Sequence, residues 1–162
     1  MLFRRIIRLV KTIKYLSKVK KYSRRFKSCG SNLAVFGSPY ITAGKSISVG
    51  NNVFINNAVE LNATCSKITI GNNVTISADA KILASTYDPS LFINEGKRTH
   101  IEKEVVIGDN IWIGAAAIIC PGVKLTGKNV IIGAGSVVTK CFNESNVVIA
   151  GNPAKIVKRY NS

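Results

Sequence analysis

The chain of 162 residues contains one histidine, His100, in a stretch that breaks the pattern of the rest of the sequence. The same stretch, residues 83–104, carries the adjacent pair Tyr87 and Asp88. A histidine side chain, with a pKa of about 6.5, can accept a proton near neutral pH. A tyrosine, with a pKa of about 10, stays neutral there and is a poor base, although it can orient another group by a hydrogen bond. This stretch is therefore where proton transfer is to be sought.

Metal chemistry is not expected. The four cysteines include no Cys-x-x-Cys pair, and a single histidine adds little to a zinc-binding set. Reduced thiols in a cytosolic protein are the simpler interpretation of this cysteine content. The cysteines are Cys29, Cys65, Cys120 and Cys141.

The elements that must position the reactive residues follow a repeat of six. This spacing fits neither the period of about 3.6 of a helix nor simple alternation. Short strands separated by tight turns do fit it, with glycine and asparagine where a positive φ is needed. A repeat this short, sustained over many units, predicts an all-β solenoid. Its clearest run is Ile107, Ile113, Ile119, Leu125, Ile132 and Val138, with one extra residue after Leu125.

Before this run the repeat is less regular. It begins near Gly37, is interrupted over residues 62–69, and resumes at Ile70. We expect the stretch with Pro89 and Gly96 to be a loop, residues 142–148 a connector, and the end of the chain a final strand with a basic tail.

Two motifs within the repeat, VIGDNIWIGA at residues 106–115 and AGNPAK at residues 150–155, resemble the hexapeptide-repeat acyltransferases. The subgroup they are similar to comprises the maltose, galactoside and surface-polysaccharide O-acetyltransferases. The resemblance covers about residues 35–158 and implies a left-handed parallel β-helix of three hexads per coil, assembled as a homotrimer. We therefore expect a helical arm over residues 1–30 and a β-helix domain over residues 31–162, with an excursion loop at about 83–105.

The resemblance also implies a site. In this family acetyl-CoA lies between two subunits, and a loop histidine takes the proton of an acceptor hydroxyl, which then attacks the thioester. Similarity to the family assigns Trp112 to the thioester end, Ala115 and Ala134 to the pantetheine, Thr139 and Lys140 to the nucleotide end, and Lys155, Lys158 and Arg159 to the phosphates. It assigns Asn57 and Asn62 to the acceptor; the alternative for both is a turn residue. For each lysine alone, a solvated surface charge is an equal alternative.

The chain departs from the family where the catalytic histidine is expected, because Tyr87-Asp88 stands there. Three interpretations remain open. His100 replaces the missing base; or Tyr87, polarised by Asp88, supports slow transfer by positioning alone; or catalysis is lost and only the fold is kept. An ordinary exposed loop histidine beside Lys97 and Arg98 is the alternative for His100.

Charge is concentrated at the N-terminus. The net charge is +15, and residues 1–27 hold eleven of the 23 lysines and arginines but no acid. Apolar residues recur at helical spacing over residues 2–26, which predicts a basic amphipathic helix. It suits either the anionic inner face of a membrane or packing on the solenoid or a neighbouring subunit. Nucleic-acid binding is a weaker third alternative, because the arm interleaves its charges with aliphatic residues rather than with stacking aromatics, so we do not expect a nucleic-acid partner.

The sequence thus predicts an acetyl-CoA-dependent O-acetyltransferase acting on a sugar hydroxyl of a surface polysaccharide or its precursor, in the cytoplasm or at the inner face of the cell membrane. The alternative is a catalytically silent β-helix that serves as a scaffold or binding protein.

Overall fold

The structure is a computed structural model that describes residue 12 and residues 15–161. Along residues 15–161 the chain forms helix α1 over residues 15–23, a 3₁₀ turn at Gly44–Ser46, helix α2 at Pro89–Glu95, and short strands. The strands are β1 Ser28–Cys29, β2 Ala34–Val35, β3 Tyr40–Thr42, β4 Ile47–Val49, β5 Phe54–Ile55, β6 Glu60–Asn62, β7 Ile68–Ile70, β8 Thr75–Ile76, β9 Lys81–Leu83, β10 Ser85–Tyr87, β11 His100–Glu102, β12 Val105–Ile107, β13 Ile111–Ile113, β14 Ile118–Ile119, β15 Lys124–Leu125, β16 Val130–Ile132, β17 Val137–Val138, β18 Val147–Gly151 and β19 Ala154–Arg159.

Strands from successive coils stack into three parallel sheets, which form the three faces of a solenoid. Face A consists of β1, β4, β7, β12 and β15; face B of β2, β5, β8, β13, β16 and β18; face C of β3, β6, β9, β14 and β17. Five coils are complete and a sixth is begun by β18, and β19 folds back antiparallel along β18. The solenoid predicted from the repeat of six is confirmed.

The core is a column of aliphatic side chains, and most strands of the three faces contribute one or two of them. On face A, Ile47 is in register with Ile68, and Ile68 with Val105. All three are fully buried, as are the hexad residues from Ile107 to Val138 that the sequence singled out. Because each coil passes the same three faces, every inward side chain packs on its counterparts above and below. The six-residue repeat in the sequence is therefore the spacing at which side chains return to the core.

Asparagines form a ladder at the corner between faces A and B. Asn52, Asn73 and Asn110 each have φ near +55°, a left-handed conformation that asparagine tolerates better than most residues. The Asn52 Nδ2 donates to Asn73 Oδ1, and Asn73 Nδ2 donates to Asn110 Oδ1, both at 2.9 Å. These side chains close the turn and also tie one coil to the next. This is the turn chemistry that the Gly-Asn-Asn triplets predicted.

Helix α1 packs on the first coil and covers the N-terminal end of the solenoid. Tyr22 and Phe26 are buried within the core cluster, and Val19 packs against it. The Arg25 guanidinium donates to the Ile41 carbonyl at 2.7 Å. The described part of the basic arm therefore packs on the solenoid; most of the predicted helical stripe, in residues 2–11 and 13–14, lies outside the described residues. Among residues 15–161 no helix is both long and apolar enough to span a bilayer.

Three boundaries differ from the sequence expectations. The excursion is an antiparallel pair, β10 and β11, with α2 between them, because Asp88 and Gly96 cap a short helix that the irregular pattern hid. Residues 147–148 belong to β18 and not to a connector, since Val147 is buried against the top coil. Pairing in the solenoid starts at Ser28, which is in register with Ser48, inside the segment assigned to the arm.

Replacing Asn73 tests the corner ladder. Asn73→Ala removes two side-chain hydrogen bonds and puts alanine, which tolerates a left-handed turn less well than asparagine, at this corner, so we expect a loss of about 2 kcal/mol in unfolding free energy. Asn73→Gly loses the same bonds but is free to adopt φ > 0, so its loss should be smaller. Thermal unfolding of the two variants measures the difference. Wild-type unfolding temperatures for both would show that the ladder contributes nothing.

Candidate active site

The excursion brings the only histidine of the chain against Tyr87. The two residues are directly paired across β10 and β11, and their ring centroids are 4.3 Å apart with an interplanar angle of 31°. The Nδ1 of His100 is 3.2 Å from the Ser85 hydroxyl oxygen. Tyr87 is 45% exposed and His100 is also exposed, so a substrate can reach both rings. The hairpin register thus places an imidazole beside the position where the family histidine was expected.

Asp88 starts helix α2. One of its carboxylate oxygens accepts hydrogen bonds from the backbone N–H groups of Ser90, at 2.8 Å, and Leu91, at 3.2 Å. Its own N–H donates to the Thr99 carbonyl at 2.8 Å. Asp88 therefore has a structural role as an N-cap, which also closes the hairpin beyond the ring pair.

Trp112 lies on the outer side of face B. Its Nε1–H donates to the Ser77 hydroxyl at 2.9 Å, which fixes the indole while leaving it 52% exposed. The indole borders a groove of about 460 Å³, to which the asparagine corner and Tyr160 also contribute. Sequence reasoning selected Trp112 but missed Ser77 and Tyr160, because only the coil register and the C-terminal hairpin place them nearby.

Ala115 and Ala134 occupy equivalent turns at the corner between faces B and C in successive coils. The Gly135 N–H donates to the Ala115 carbonyl at 2.8 Å, so the two turns are stacked. Both alanines are exposed, and their small side chains leave the surface open to close approach by an extended molecule.

The C-terminal end of the solenoid carries a basic cavity of about 410 Å³. Lys140, Lys155 and Arg159 line it, with one acid, Glu144. Lys140 is exposed, and its ammonium lies 5.3 Å from the centroid of the Phe142 ring. Three cations against one carboxylate suit a phosphate-bearing group, so this cavity fits the nucleotide end of CoA.

Two predicted cofactor residues lie outside the lining of this basic cavity. The Lys158 ammonium lies 4.6 Å from the Tyr160 ring centroid, and Tyr160 borders the groove on face B. Thr139 directly precedes Lys140 in an exposed turn. Of the three residues that the resemblance assigned to the phosphates, Lys155 and Arg159 line the cavity and Lys158 does not.

The two predicted acceptor residues form hydrogen bonds within the solenoid. Asn57 Oδ1 accepts from the Ser38 N–H at 2.9 Å. Asn62 Oδ1 accepts from the hydroxyls of Thr42, at 3.0 Å, and Thr64, at 2.8 Å. These contacts fit the turn and corner roles left open by the sequence.

Two of the cysteines, Cys29 and Cys120, are poor candidates for a nucleophile. Burial raises the pKa of the Cys29 and Cys120 thiols, which lowers their thiolate fraction at neutral pH. The four cysteines within residues 15–161 form no disulfide bond.

Comparison with known proteins identifies the family to which this architecture belongs. No family model matches the chain. The crystal structure of a maltose O-acetyltransferase from Clostridium difficile 630 superposes with a TM-score of 0.78 at 35% identity, over 87% of this chain and 73% of that one. A galactoside acetyltransferase in complex with coenzyme A gives a TM-score of 0.77 at 30% identity, over 86% and 68%. The chain belongs to the hexapeptide-repeat acyltransferase family.

As a hexapeptide-repeat acyltransferase, the chain has the left-handed parallel β-helix that the sequence predicted. Two relatives add detail. The galactoside O-acetyltransferase of Escherichia coli K12 is 32% identical over 136 residues, which are 84% of this chain and 65% of that protein. A putative lipopolysaccharide biosynthesis O-acetyl transferase, WbbJ, of the same strain is 37% identical over 119 residues, 68% of this chain and 59% of that protein. The chain therefore spans somewhat less than two thirds of the length of these relatives.

The basic cavity predicts a measurable effect on CoA binding. Replacing Lys140 and Lys155 by alanine should weaken CoA binding about tenfold, because two cations that face the phosphates are lost. Isothermal titration calorimetry measures this, with Lys20→Ala/Lys128→Ala as a control of equal charge outside the cavity. Dephospho-CoA, which has no 3′-phosphate, tests which phosphate these lysines contact. If they contact the 3′-phosphate, the difference in affinity between CoA and dephospho-CoA should be smaller for the variant than for wild type. Equal CoA affinity in variant and control would contradict the assignment.

Proposed function

We propose that this chain transfers an acetyl group from acetyl-CoA to a hydroxyl group of a sugar, with His100 as the general base. The observation that carries this proposal is the direct pairing of His100 with Tyr87 in the hairpin. The family's catalytic histidine is missing at position 87, but an imidazole stands beside that position, on the opposite strand. In this proposal the base comes from the strand that pairs with the strand carrying position 87.

Acetyl-CoA supplies the activated acyl group as its thioester. When the Nδ1–H of His100 donates to the Ser85 hydroxyl oxygen, Nε2 keeps a free lone pair. That nitrogen takes the proton of the acceptor hydroxyl as its oxygen bonds to the acyl carbon, and returns the proton to the sulfur as the carbon–sulfur bond breaks. The products are the O-acetyl sugar and CoA.

Tyr87 serves as a positioning residue in this scheme. Its ring packs against the imidazole and limits the rotation of an otherwise exposed side chain. Such restriction keeps the base aligned with the acceptor, and alignment is worth much of the barrier reduction in transfer reactions. The Asp88 carboxylate caps helix α2. This contact favours a positioning role for Tyr87 over polarisation of the Tyr87 hydroxyl by Asp88.

The site is completed between two chains of a homotrimer. The hairpin leaves the solenoid after β9 on face C and returns to β12 on face A, whereas Trp112 is on face B and Ala115 on the corner between B and C. His100 and the thioester position beside Trp112 therefore lie on different sides of the same solenoid. The apolar outer side of face B, with Phe54 and Trp112 about half exposed, supports burial against a neighbour.

The acceptor that we propose is a surface polysaccharide or its precursor. Similarity to the putative lipopolysaccharide O-acetyl transferase supports this choice. We further propose that the protein works in the cytoplasm at the inner face of the membrane, held by the basic arm. Flotation with anionic vesicles tests the location; unchanged flotation after removal of residues 1–14 would contradict it.

Exchange of the hairpin residues tests the base. His100→Asn should lower kcat by about a hundredfold or more, because general-base catalysis is lost. Tyr87→Phe keeps the stacked ring and should retain most activity, while Tyr87→Ala should lower kcat with little change in KM for acetyl-CoA. Transfer to a panel of sugars measures these effects. Full activity in His100→Asn would exclude His100 as the base, and activity that arises only in Tyr87→His would favour the silent scaffold.

Complementation tests the shared site. Two impaired proteins, His100→Asn and Lys140→Ala/Lys155→Ala, are coexpressed so that mixed trimers form, and transfer is assayed at an acetyl-CoA concentration well below KM, where the lysine variant keeps about a tenth of wild-type activity. A site that combines the intact hairpin of one chain with the intact cavity of another should then regain activity, up to about a quarter of wild type for random assembly of a cyclic trimer. Separately purified variants mixed without exchange are the control. No recovery in proven mixed trimers would place the whole site within one chain.

A further inference from the structure

A second basic cavity lies on face A and extends from the first coil to the fourth, apart from the proposed CoA phosphate site at the C-terminal end. Its volume is about 320 Å³. Three lysines and three hydroxyl side chains line it: Lys27, Lys45, Lys67, Ser46, Ser48 and Thr69. One acid, Glu104, lies at its edge nearest the excursion. None of these residues lines the groove on face B or the C-terminal cavity.

The coil register builds this cavity. Lys27, Ser46, Lys67 and Glu104 each directly precede a strand of face A, so they lie one above another along one corner. Backbone bonds hold the stack: the Lys27 N–H donates to the Ile47 carbonyl at 2.8 Å, and the Val105 N–H donates to the Lys67 carbonyl at 3.0 Å. The hydroxyls come from paired residues on neighbouring strands, Ser48 on β4 and Thr69 on β7.

The charges of the cavity are largely uncompensated. The Lys45 ammonium donates to the carbonyls of Arg24 and Phe26, at 2.8 and 3.2 Å, which holds it in place and leaves a third N–H available. Within residues 15–161 neither Lys27 nor Lys67 takes part in an ion pair. The Glu104 carboxylate is 3.7 Å from the ammonium of Lys124, which offsets part of its charge. Several ammonium groups with hydroxyl donors between them suit the oxygens of a phosphate.

Face A is also the face best suited to remain open. Its outward residues include Ser48, Thr69 and Lys124, whereas those of face B include Phe54 and Trp112. The polar outer side of face A is less favourable to bury against a neighbour than that of face B, because its charged and hydroxyl groups would lose their hydration. We therefore infer that a ligand can reach the cavity in the assembled protein.

The cavity adjoins the proposed catalytic hairpin. Glu104 follows His100 by four residues, so their Cα atoms are at most about 14 Å apart. A ligand whose phosphate lies in the cavity can extend a sugar toward the imidazole. We propose that this cavity binds a phosphate group of the acceptor, so that the acceptor is a phosphate-bearing sugar or glycan. This inference rests on the proposed transfer to a sugar hydroxyl.

Binding of α-glucose 1-phosphate to the full chain tests the inference, with glucose as the uncharged control. Wild type should bind the phosphosugar in a saturable manner, and Lys27→Gln/Lys67→Gln should bind it about tenfold more weakly. Lys20→Gln/Lys128→Gln removes the same charge from exposed lysines outside the cavity and should bind within about twofold of wild type. Lys140→Ala/Lys155→Ala should bind as wild type does, which excludes the CoA cavity. Calorimetric titration gives all four affinities, and thermal unfolding checks that each variant is folded.

Equal binding by the cavity variant and its charge-matched control, or no saturable binding by wild type, would overturn the proposal. A second arm uses vesicles of phosphatidylglycerol and phosphatidylcholine. If the cavity variant loses vesicle binding while wild type does not bind glucose 1-phosphate, the cavity binds lipid headgroups and the acceptor phosphate is excluded. Since no transfer is measured, these results are independent of the proposed activity: His100→Asn should bind the phosphosugar normally even though transfer is lost.

Discussion

The fold depends on in-register stacking of each coil on the one before it. A coil must return to the same three faces, because an inward side chain is buried only where its counterparts lie above and below it. Left-handed corners make this return possible in few residues, and Asn52 and Asn73, 21 positions apart, adopt nearly the same φ. Hydrogen bonds between their amides add a lateral link to the strand ladder. Shape, core and corner chemistry all follow from this one requirement.

Rigid stacking leaves the reactive residues on parts of the chain that it does not constrain. In the described chain, β10 and β11 pair with each other and with no strand of the three faces. Their sequence can therefore change without disturbing the core. Tyr87 and His100 face each other across one rung of this hairpin, whereas Trp112 lies on a strand of the stiff coils. A substitution in the hairpin therefore leaves the core of the solenoid intact.

The sequence revealed the solenoid because burial and period coincide: every sixth residue from Ile107 to Leu125 is both aliphatic and inaccessible. The contact of Tyr87 with His100 could not be predicted, since it depends on a register set by capping of α2, and Asp88 followed by Pro89 was its only sequence signal.

Strand register also limited what the sequence could predict at the C-terminus. Lys155 reaches the cavity of Lys140 and Lys158 does not, because strand β19 turns back along β18 with an irregularity in its register.

Both ends of the column are closed by something other than another coil. At the start, Tyr22 and Phe26 of the arm fill the section of the prism. At the finish, β19 runs in the reverse direction and occupies the open edge of β18. An exposed parallel edge would offer a template for a second molecule to continue the stack. The arm at one end and β19 on face B at the other oppose the addition of a further coil, and so disfavour growth of the column into a fibre.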